Sequence, residues 1–583
     1  MPWLLRAEPW DPATGAVRPV YYSDAGFVSE PVDQPADTYW ERRIDVSLSM
    51  RSSLFAGSDV GGESQTAYGA VTLANGDGAL DGLAELDWDG RLVEIRFSAA
   101  ERPRWSDFAV VFAGTCEQLV PGDALTLELR DRKALADEPL QPTKWLGTGG
   151  AEGPETFKDR RKPLALGVLR QIEPLWQDEA NLILAYADGP CGGVLELCDQ
   201  GRPLVAGPDY PTREALRAAD LSGWGYGTCD ALGLVRLQAS PERPVTLDVL
   251  GRSRGAVTGA AALPLSVTTV PGRRYALKAL VRRSAGSLTL TANGTPLGAA
   301  VAASGRVVLP FVATDTSTAL AAVPGPGWSG AVEAVQVVEW LGRFADLAQF
   351  ALDNATSLEA GDFLAADLTA LNDLAPQALS LWFDGSSEIT ARQAVDQLAI
   401  GIGAWWGFDP LGRIRMGRFD APAAVPDFTF TERDLLRLEP RQVDRRLKTL
   451  TVGYGRRWRV LSESEIAGLI TGDARAAKRT DWRTVEHADP VVAQASLLAR
   501  EERVDLPLDS EPEARAEAQR RVALHGPRRA AFDAVVPFTA GLRVGLTVRL
   551  QDRRYGLSNG RNFVVMELSS DTAGEEHTLS LWG

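Results

Sequence analysis

At 583 residues the chain is too long for one hydrophobic core, and length alone implies about four domains. Hydrophobic residues make up 45% and charged residues 24%, which excludes a disordered chain and fits an ordinary folded one. The net charge of −16 excludes a nucleic-acid surface built on excess Lys and Arg, while 56 Gly and 35 Pro mark many turns and hence a β-rich fold.

The opening MPWLLRAEPW has no basic segment ahead of an apolar run, and Glu8 interrupts it early; no signal peptide is read here. No apolar run reaches bilayer length, so a soluble product of the cytoplasm is expected. Residues 1–35 are read as an N-terminal arm and residues 36–140 as a first β-barrel domain. Ile44, Val46, Leu48 and Met50 alternate with Asp45, Ser47 and Ser49, the period of a half-buried strand. Val71 and Leu73, then Val93, Ile95 and Phe97, then Phe108, Val110 and Phe112, then Leu125, Leu127 and Leu129 repeat the pattern. Turns fall at Asn75-Gly76, Asp89-Gly90 and Pro121-Gly122-Asp123. Such spacing makes an antiparallel barrel or sandwich. In NGDGALD, Asn75, Asp77 and Asp81 offer oxygens to a calcium ion. The spacing is not that of an EF-hand, and Leu86 stands where the closing Glu belongs, so a plain turn is the preferred reading.

Residues 141–240 are read as a mixed middle domain. KWLGTGGAEGPETFKDRRKPLALG is loop-like, and its basic cluster at 159–162 follows glycines without forming GxxxxGK[ST], which argues against a phosphate loop. NLILAYAD and GVLELCDQGRPL read as strands, with a turn at Asp199-Gln200-Gly201, and PTREALRAADL as a short helix. Cys116, Cys191, Cys198 and Cys229 are too few for a disulfide framework in so long a chain. They also lack zinc-ligand spacing, so small buried thiols are expected. His487, His525 and His577 stand in no metal-ligand spacing with a Cys.

Residues 241–340 shift towards Ala, Val, Thr, Ser and Gly. VTLDVLG, LPLSVTTV, RRYALKALVRR, SLTLTANGTPLG, RVVLPFVAT, TALAAVP and AVEAVQVVEW are seven strands, a β-sandwich count, with Asn293-Gly294 as a tight hairpin. The order PGRRYALKALVRR, hairpin, GPGWSGAVEAVQVVEW is similar to jelly-roll carbohydrate-binding modules. That resemblance implies sugar stacking on an exposed aromatic. Tyr275 and Phe311 alternate with apolar residues and are read as buried. Trp328, in the loop PGPGWSG, is the candidate sugar contact, weighed against a purely architectural sandwich.

Residues 341–424 are read as a helix-plus-hairpin domain. LGRFADLAQFALD is helical, and residues 372–383 are expected to be irregular, broken by Pro376. In SSEITARQAVDQLAIGIGAWWGFDPLGRIRMGRF, Thr390 caps a helix and Gln393 completes a capping box. Ala394, Val395, Leu398, Ala399 and Ile402 share one apolar face, with Arg392, Gln393, Asp396 and Gln397 on the wet one. Gly401 and Gly403 stop the helix. Strands at 404–408 and 413–419 flank Asp409-Pro410-Leu411-Gly412, a type I turn. Residues 425–583 are read as a second β-barrel domain. Leu450, Val452 and Tyr454 share a strand face, ARAEAQRRVALHG is a helix ended by Gly526-Pro527, and AAFDAVVPFTAG, TVRLQDRRYGLSNGRNFVVMELSS and HTLSLWG complete the barrel. The pairs Arg456–Arg457, Arg520–Arg521, Arg528–Arg529 and Arg553–Arg554 are read as solvated faces or subunit salt bridges.

Several stretches, in order, resemble the baseplate-hub and tail-tip proteins of long-tailed bacteriophages and gene transfer agents. They are VTLANGDGALDGL with DGRLVEIR, RKPLALGVLRQIEPLW with GYGTCDALGLVRLQASP, GAWWGFDPLGRIR, and PFTAGLRVGLTVRL with GRNFVVMELS. Together they touch most of the chain outside 241–340. The resemblance implies a mainly β, multidomain fold with some α: two tail-tube-like β-barrel domains, a small α/β helix–hairpin domain and the inserted jelly-roll-like sandwich. It implies a structural virion protein of the phage tail, assembled in the host cytoplasm as a homotrimeric hub. Its expected partners are a distal tail protein, the tail tube and a central fibre or tip protein, with host surface glycan as a further contact. Duplex DNA is expected to pass through without stable binding. No cofactor and no catalytic residue is implied. Two alternatives stand beside this: a receptor-recognition protein for cell-surface sugar, and a cell-wall glycoside hydrolase. A hydrolase needs a carboxylate pair, but no pair stands out, and GxSxG and HExxH are missing from the sequence.

Overall fold

The computed structural model describes residues 2–46, 49–55, 62–63, 65–98, 100, 102–130, 132–260, 262–539, 541–571 and 576–583. Of the expected strand residues, Ser47, Leu48 and Ala540 lie outside these. The fold is mainly β with some α, multidomain, with curled sheets. The first sheet has nine strands, ordered Phe27–Val28, Tyr39–Arg42, Val20–Ser23, Trp3–Ala7, Leu92–Phe97, Ala109–Val120, Ala124–Arg130, Ala70–Ala74 and Ile44–Val46. Val71, Leu73, Val93, Ile95, Leu125, Leu127 and Leu129 turn into its core as their alternation predicts. The stretch read as an arm behaves differently, because Trp3–Ala7 is an inner strand of this sheet. Trp3, Leu4, Leu5 and Ala7 are all buried, and a strand buried on both faces carries no period-two signature.

The hairpin of Ser49–Ser53 and Gln65–Tyr68 leaves the first sheet and pairs along Arg561–Asp571 in the last one. That C-terminal sheet also holds Phe428–Thr431, Arg437–Arg441, Ala531–Pro537, Thr547–Gln551 and Glu576–Trp582. The two ends of the chain are therefore interlocked. Between Arg437–Arg441 and Ala531–Pro537 the chain leaves the barrel-like sheet. It builds a separate three-stranded sheet from Arg483–Ala488, Leu447–Tyr454 and Arg500–Asp505, followed by the helix Glu511–His525. Leu450, Val452 and Tyr454 do share a buried face, but it belongs to the core of the helices Phe344–Ala355 and Ala391–Ala399, not to the C-terminal sheet. Alternation reports that one face is covered and is silent on what covers it.

The middle block is a second sandwich. Leu164–Ile172, Cys191–Asp199 and the first half of Val245–Ala260 face a five-stranded sheet that contains Ile183–Ala185 and Tyr226–Cys229. The second half of Val245–Ala260 pairs with Ser329–Trp340 in the next sandwich. The expected boundary at 240/241 thus falls beside a strand shared by both units. All seven expected strands are present, but VTLDVLG, the first half of Val245–Ala260, pairs with Cys191–Asp199 and belongs to the middle block. Asn293 and Gly294 have φ of 47° and 80°, the left-handed pair that a two-residue hairpin turn requires. Residues 372–383 are more regular than expected: they end the helix Ala365–Leu374 and supply the strand Ser380–Phe383, which pairs with Leu164–Ile172. The helix–hairpin forms as its local signals dictate. Thr390 accepts from Gln393 N at 3.2 Å, Gln393 accepts from Thr390 N at 3.0 Å, and Gly412 N closes on Asp409 O at 2.9 Å.

Candidate functional site

A cleft of about 1490 Å³ opens where the middle block, the helix–hairpin and the 458–459 segment meet. Its aromatic walls come from three distant stretches. Trp176 stands on the strand Leu175–Asp178, with the Arg243 guanidinium 4.3 Å from its ring centre on one side. Trp382 lies on Ser380–Phe383. Its neighbours Leu381 and Phe383 point into the helical core, so alternation turns Trp382 to the opposite face. Trp458 is positioned by its backbone N–H, which donates to Arg170 O at 3.1 Å. All three indoles are half-buried.

The carboxylates of the cleft are already matched. Glu173 meets Arg459 at 3.0 Å, Asp384 meets Arg160 at 3.4 Å, and Glu388 meets Arg161 at 3.2 Å. Asp178 pairs with Arg213 and Glu179 with Arg243. Asp396, expected on the wet helix face, instead accepts the Trp406 indole N–H at 2.8 Å. Gln177 is buried in the wall and donates to Ala151 O at 2.7 Å. Its Oε1 has no hydrogen-bond partner among the described residues.

A second cluster lies at the joint between the middle block and the sandwich. Tyr275, Leu277 and Ala279 face the sandwich core, so Ala276 and Lys278 face the middle block. Lys278 Nζ donates to Asp230 Oδ2 at 2.7 Å, and Arg306 donates to the same carboxylate and to Thr228. Tyr186 donates to Asp230 Oδ1 at 3.2 Å. Asp209 accepts from Thr228 Oγ1 at 2.7 Å and from Asp230 N at 2.9 Å. Burial pushes Asp230 up, but the charges of Arg306 and Lys278 outweigh it and hold the acid below the usual carboxylate range. Burial, helped by the Asp230 charge, raises Asp209. Burial also pushes the Cys191 thiol beside them to about 12. Asp230 with its two cations ties the blocks together as a buried ion cluster, and a cavity of about 520 Å³ lies beside it.

The residues singled out from sequence lie elsewhere. Trp328 sits in its loop, half-buried against the sandwich core and close over Gly330. Asn75 and Asp81 are brought together, the amide donating to Asp81 Oδ1 at 2.8 Å, while Asp77 turns to Arg43 at 2.8 Å. Among the described residues no group of three or more His, Cys, Asp or Glu is placed to hold a metal ion. All four cysteines are free and buried. The solvated reading of Arg520 and Arg521 needs correction. Both contact the buried Glu517, and Arg520 also bonds Phe419 O, Ile402 O and Asp420. A helix packed on a second helix's end turns its arginines inward to meet the terminal carbonyls. Neither the cleft nor the ionic joint was singled out from sequence. The one available signal was Lys278, a lone charge inside an apolar alternation.

No protein-family model matches the chain and no curated protein matches it. Among solved structures it is similar to the 43 kDa tail protein of prophage MuSo2 from Shewanella oneidensis, at 11% identity and TM-score 0.26 over 53% of this chain and 98% of that one. A tail protein from Neisseria meningitidis MC58 overlaps at 13% identity and TM-score 0.25, over 53% of this chain and 91% of that one. A chain of a native gene transfer agent virion overlaps at 16% identity and TM-score 0.15, over 43% of this chain and 78% of that one. Overlaps of this size carry no weight for fold or role.

Proposed function

We propose that the chain is a structural virion protein at the tail tip of a long-tailed phage or gene transfer agent, acting there as a homotrimeric hub. The supporting observation is how its two ends meet. Ser49–Ser53 pairs with Arg561–Asp571, and Arg51 reaches Glu567 at 2.8 Å. The two end sheets are held as one frame, which three copies need if each is to offer two curled sheets to a sixfold tube. Two of the family-like stretches, VTLANGDGALDGL and GRNFVVMELS, lie on this frame. The distal tail protein, the tail tube and a central fibre or tip protein are the proposed partners. Mass measurement of assembled tail tips tests the reading: three copies are expected, and one or six would overturn it.

Duplex DNA is proposed to pass along the frame without sticking. Phosphate binding needs available Lys and Arg, yet Arg520 and Arg521 are internal and Arg456 stacks 4.0 Å from Trp458. The purified protein is expected to show no duplex binding at physiological salt, and tight, salt-sensitive binding would refute the channel role. For the sandwich, a host-glycan contact at Trp328 is proposed. Trp328→Ala should weaken cell-surface adhesion with assembly intact; unchanged adhesion would leave the sandwich architectural.

A further inference from the structure

We infer that the cleft walled by Trp176, Trp382 and Trp458 binds a neutral oligosaccharide. The site is distinct from Trp328 and does not depend on the tail-hub reading. Its volume, about 1490 Å³, exceeds that of ordinary small-molecule pockets, roughly 300–1,000 Å³, and leaves room for several sugar rings. The three indoles are half-buried, so packing fixes each ring while part of its surface stays open. Flat, rigid aromatic surfaces match the C–H faces of pyranose rings at low entropic cost.

The charge pattern sets the ligand class. Each carboxylate of the wall has a cation or an indole N–H as partner, and Arg160 and Arg459 are each paired with an acid. The wall's arginines are thus each held by an acid, which disfavours a phosphate or a sialylated chain. What remains is aromatic surface and amides. Among the described residues Gln177 Oε1 is buried without a partner, a costly state that a ligand hydroxyl ends by donating to it, with a small shift of the wall. Gln397, exposed on the rim, offers a second amide with both donor and acceptor.

The test titrates the full chain with chitotetraose, cellotetraose and maltotetraose, followed by tryptophan fluorescence and calorimetry. At least one sugar should give saturable binding. Trp176→Ala should weaken that binding about tenfold or more. Because Trp176 also supports Arg243, a second variant is needed. Gln397→Trp, on the exposed rim, should fill the mouth and abolish binding with the melting temperature unchanged. A lack of saturable response to all three sugars overturns the inference. So does binding that survives both substitutions. If the free protein binds none of the sugars and Gln397→Trp fails to enter particles, the occupant is a segment of a neighbouring protein, and the inference also falls.

Discussion

The joint between the sandwich and the middle block and the joint between the helix Glu511–His525 and the helix–hairpin are both buried ion clusters, built in opposite ways. At the first, one carboxylate, Asp230, receives Lys278 and Arg306 from across the interface. At the second, Glu517 receives Arg520 and Arg521 from its own helix at 2.7 Å each. There the arginines cross the interface, ending on the carbonyls of Ile400 and Ile402 at the C-terminal end of the helix–hairpin's helix. A helix C-terminus is the negative end of its dipole and has unpaired carbonyls, so it suits cations. The difference is in redundancy. Removing Asp230 leaves Arg306 on Thr228 Oγ1 and Lys278 at 3.5 Å from the Cys191 carbonyl, with Asp209 as the acid that remains near them. Removing Glu517 leaves two arginines that still hold backbone oxygens and, for Arg520, Asp420.

Asp230→Ala is therefore expected to be the most damaging change, lowering stability by roughly 4–5 kcal/mol, because breaking a buried pair strands its partners. Denaturant unfolding checks it, and a loss under 1 kcal/mol would break the comparison. The triple change Asp230→Leu, Lys278→Met, Arg306→Met sharpens it. An apolar replacement of the whole cluster is expected to lie within about 2 kcal/mol of wild type. Glu517→Ala follows, at roughly 3 kcal/mol. If it proves worse than Asp230→Ala, the carbonyl contacts of the arginines are not the redundancy described above.

What sequence made legible follows the same division between local and distant partners. The helix–hairpin could be read almost completely, because its capping box, apolar face and DPLG turn each lie within a few residues. The sandwich strands could be read from period and from Asn293-Gly294, although VTLDVLG belongs to the middle block. Trp3–Ala7 could not, because a strand with apolar residues on both faces, broken only by Arg6, shows no period of two. Of the three-stranded sheet of residues 447–505 only the strand around Leu450, Val452 and Tyr454 was read, and not as part of a separate unit, since pairing partners leave no trace in one strand's alternation. The cleft was beyond reach for a simpler reason: Trp176, Trp382 and Trp458 are adjacent only once three blocks have packed.

The second joint also carries a pH dependence. His525, at the end of the same helix, has its ring centre 5.9 Å from that of Trp582 and 6.2 Å from that of Phe419. Burial lowers it, with Arg500, Arg521, Arg520 and Arg529 adding to the effect, to about 4 against an ordinary 6.5. Between those values the unfolded chain binds the proton and the folded chain does not. Stability is therefore full above 6.5 and falls as pH drops towards 4. About 2 kcal/mol should be lost between pH 7 and 5. His525→Phe is expected to remove that slope, and a variant with the wild-type slope would assign it to other groups.

The smallest effect tests whether the clamped helix behaves as one rigid body. Thr390 caps its N-terminus, while Arg520 and Arg521 hold its far end. Thr390→Ala removes one side-chain acceptor from an exposed helix start and should cost about 1 kcal/mol. Nine residues, Ala391–Ala399, separate the cap from the clamp, so about 13 Å lies between them. Sites that far apart with no shared partner add within about 0.5 kcal/mol. The double variant with Glu517→Ala should therefore lose the sum of the two single costs. A loss clearly below the sum would mean that weakening the clamp already frays the helix to its cap. In that case the arginines hold the entire helix in place and not only its last turn.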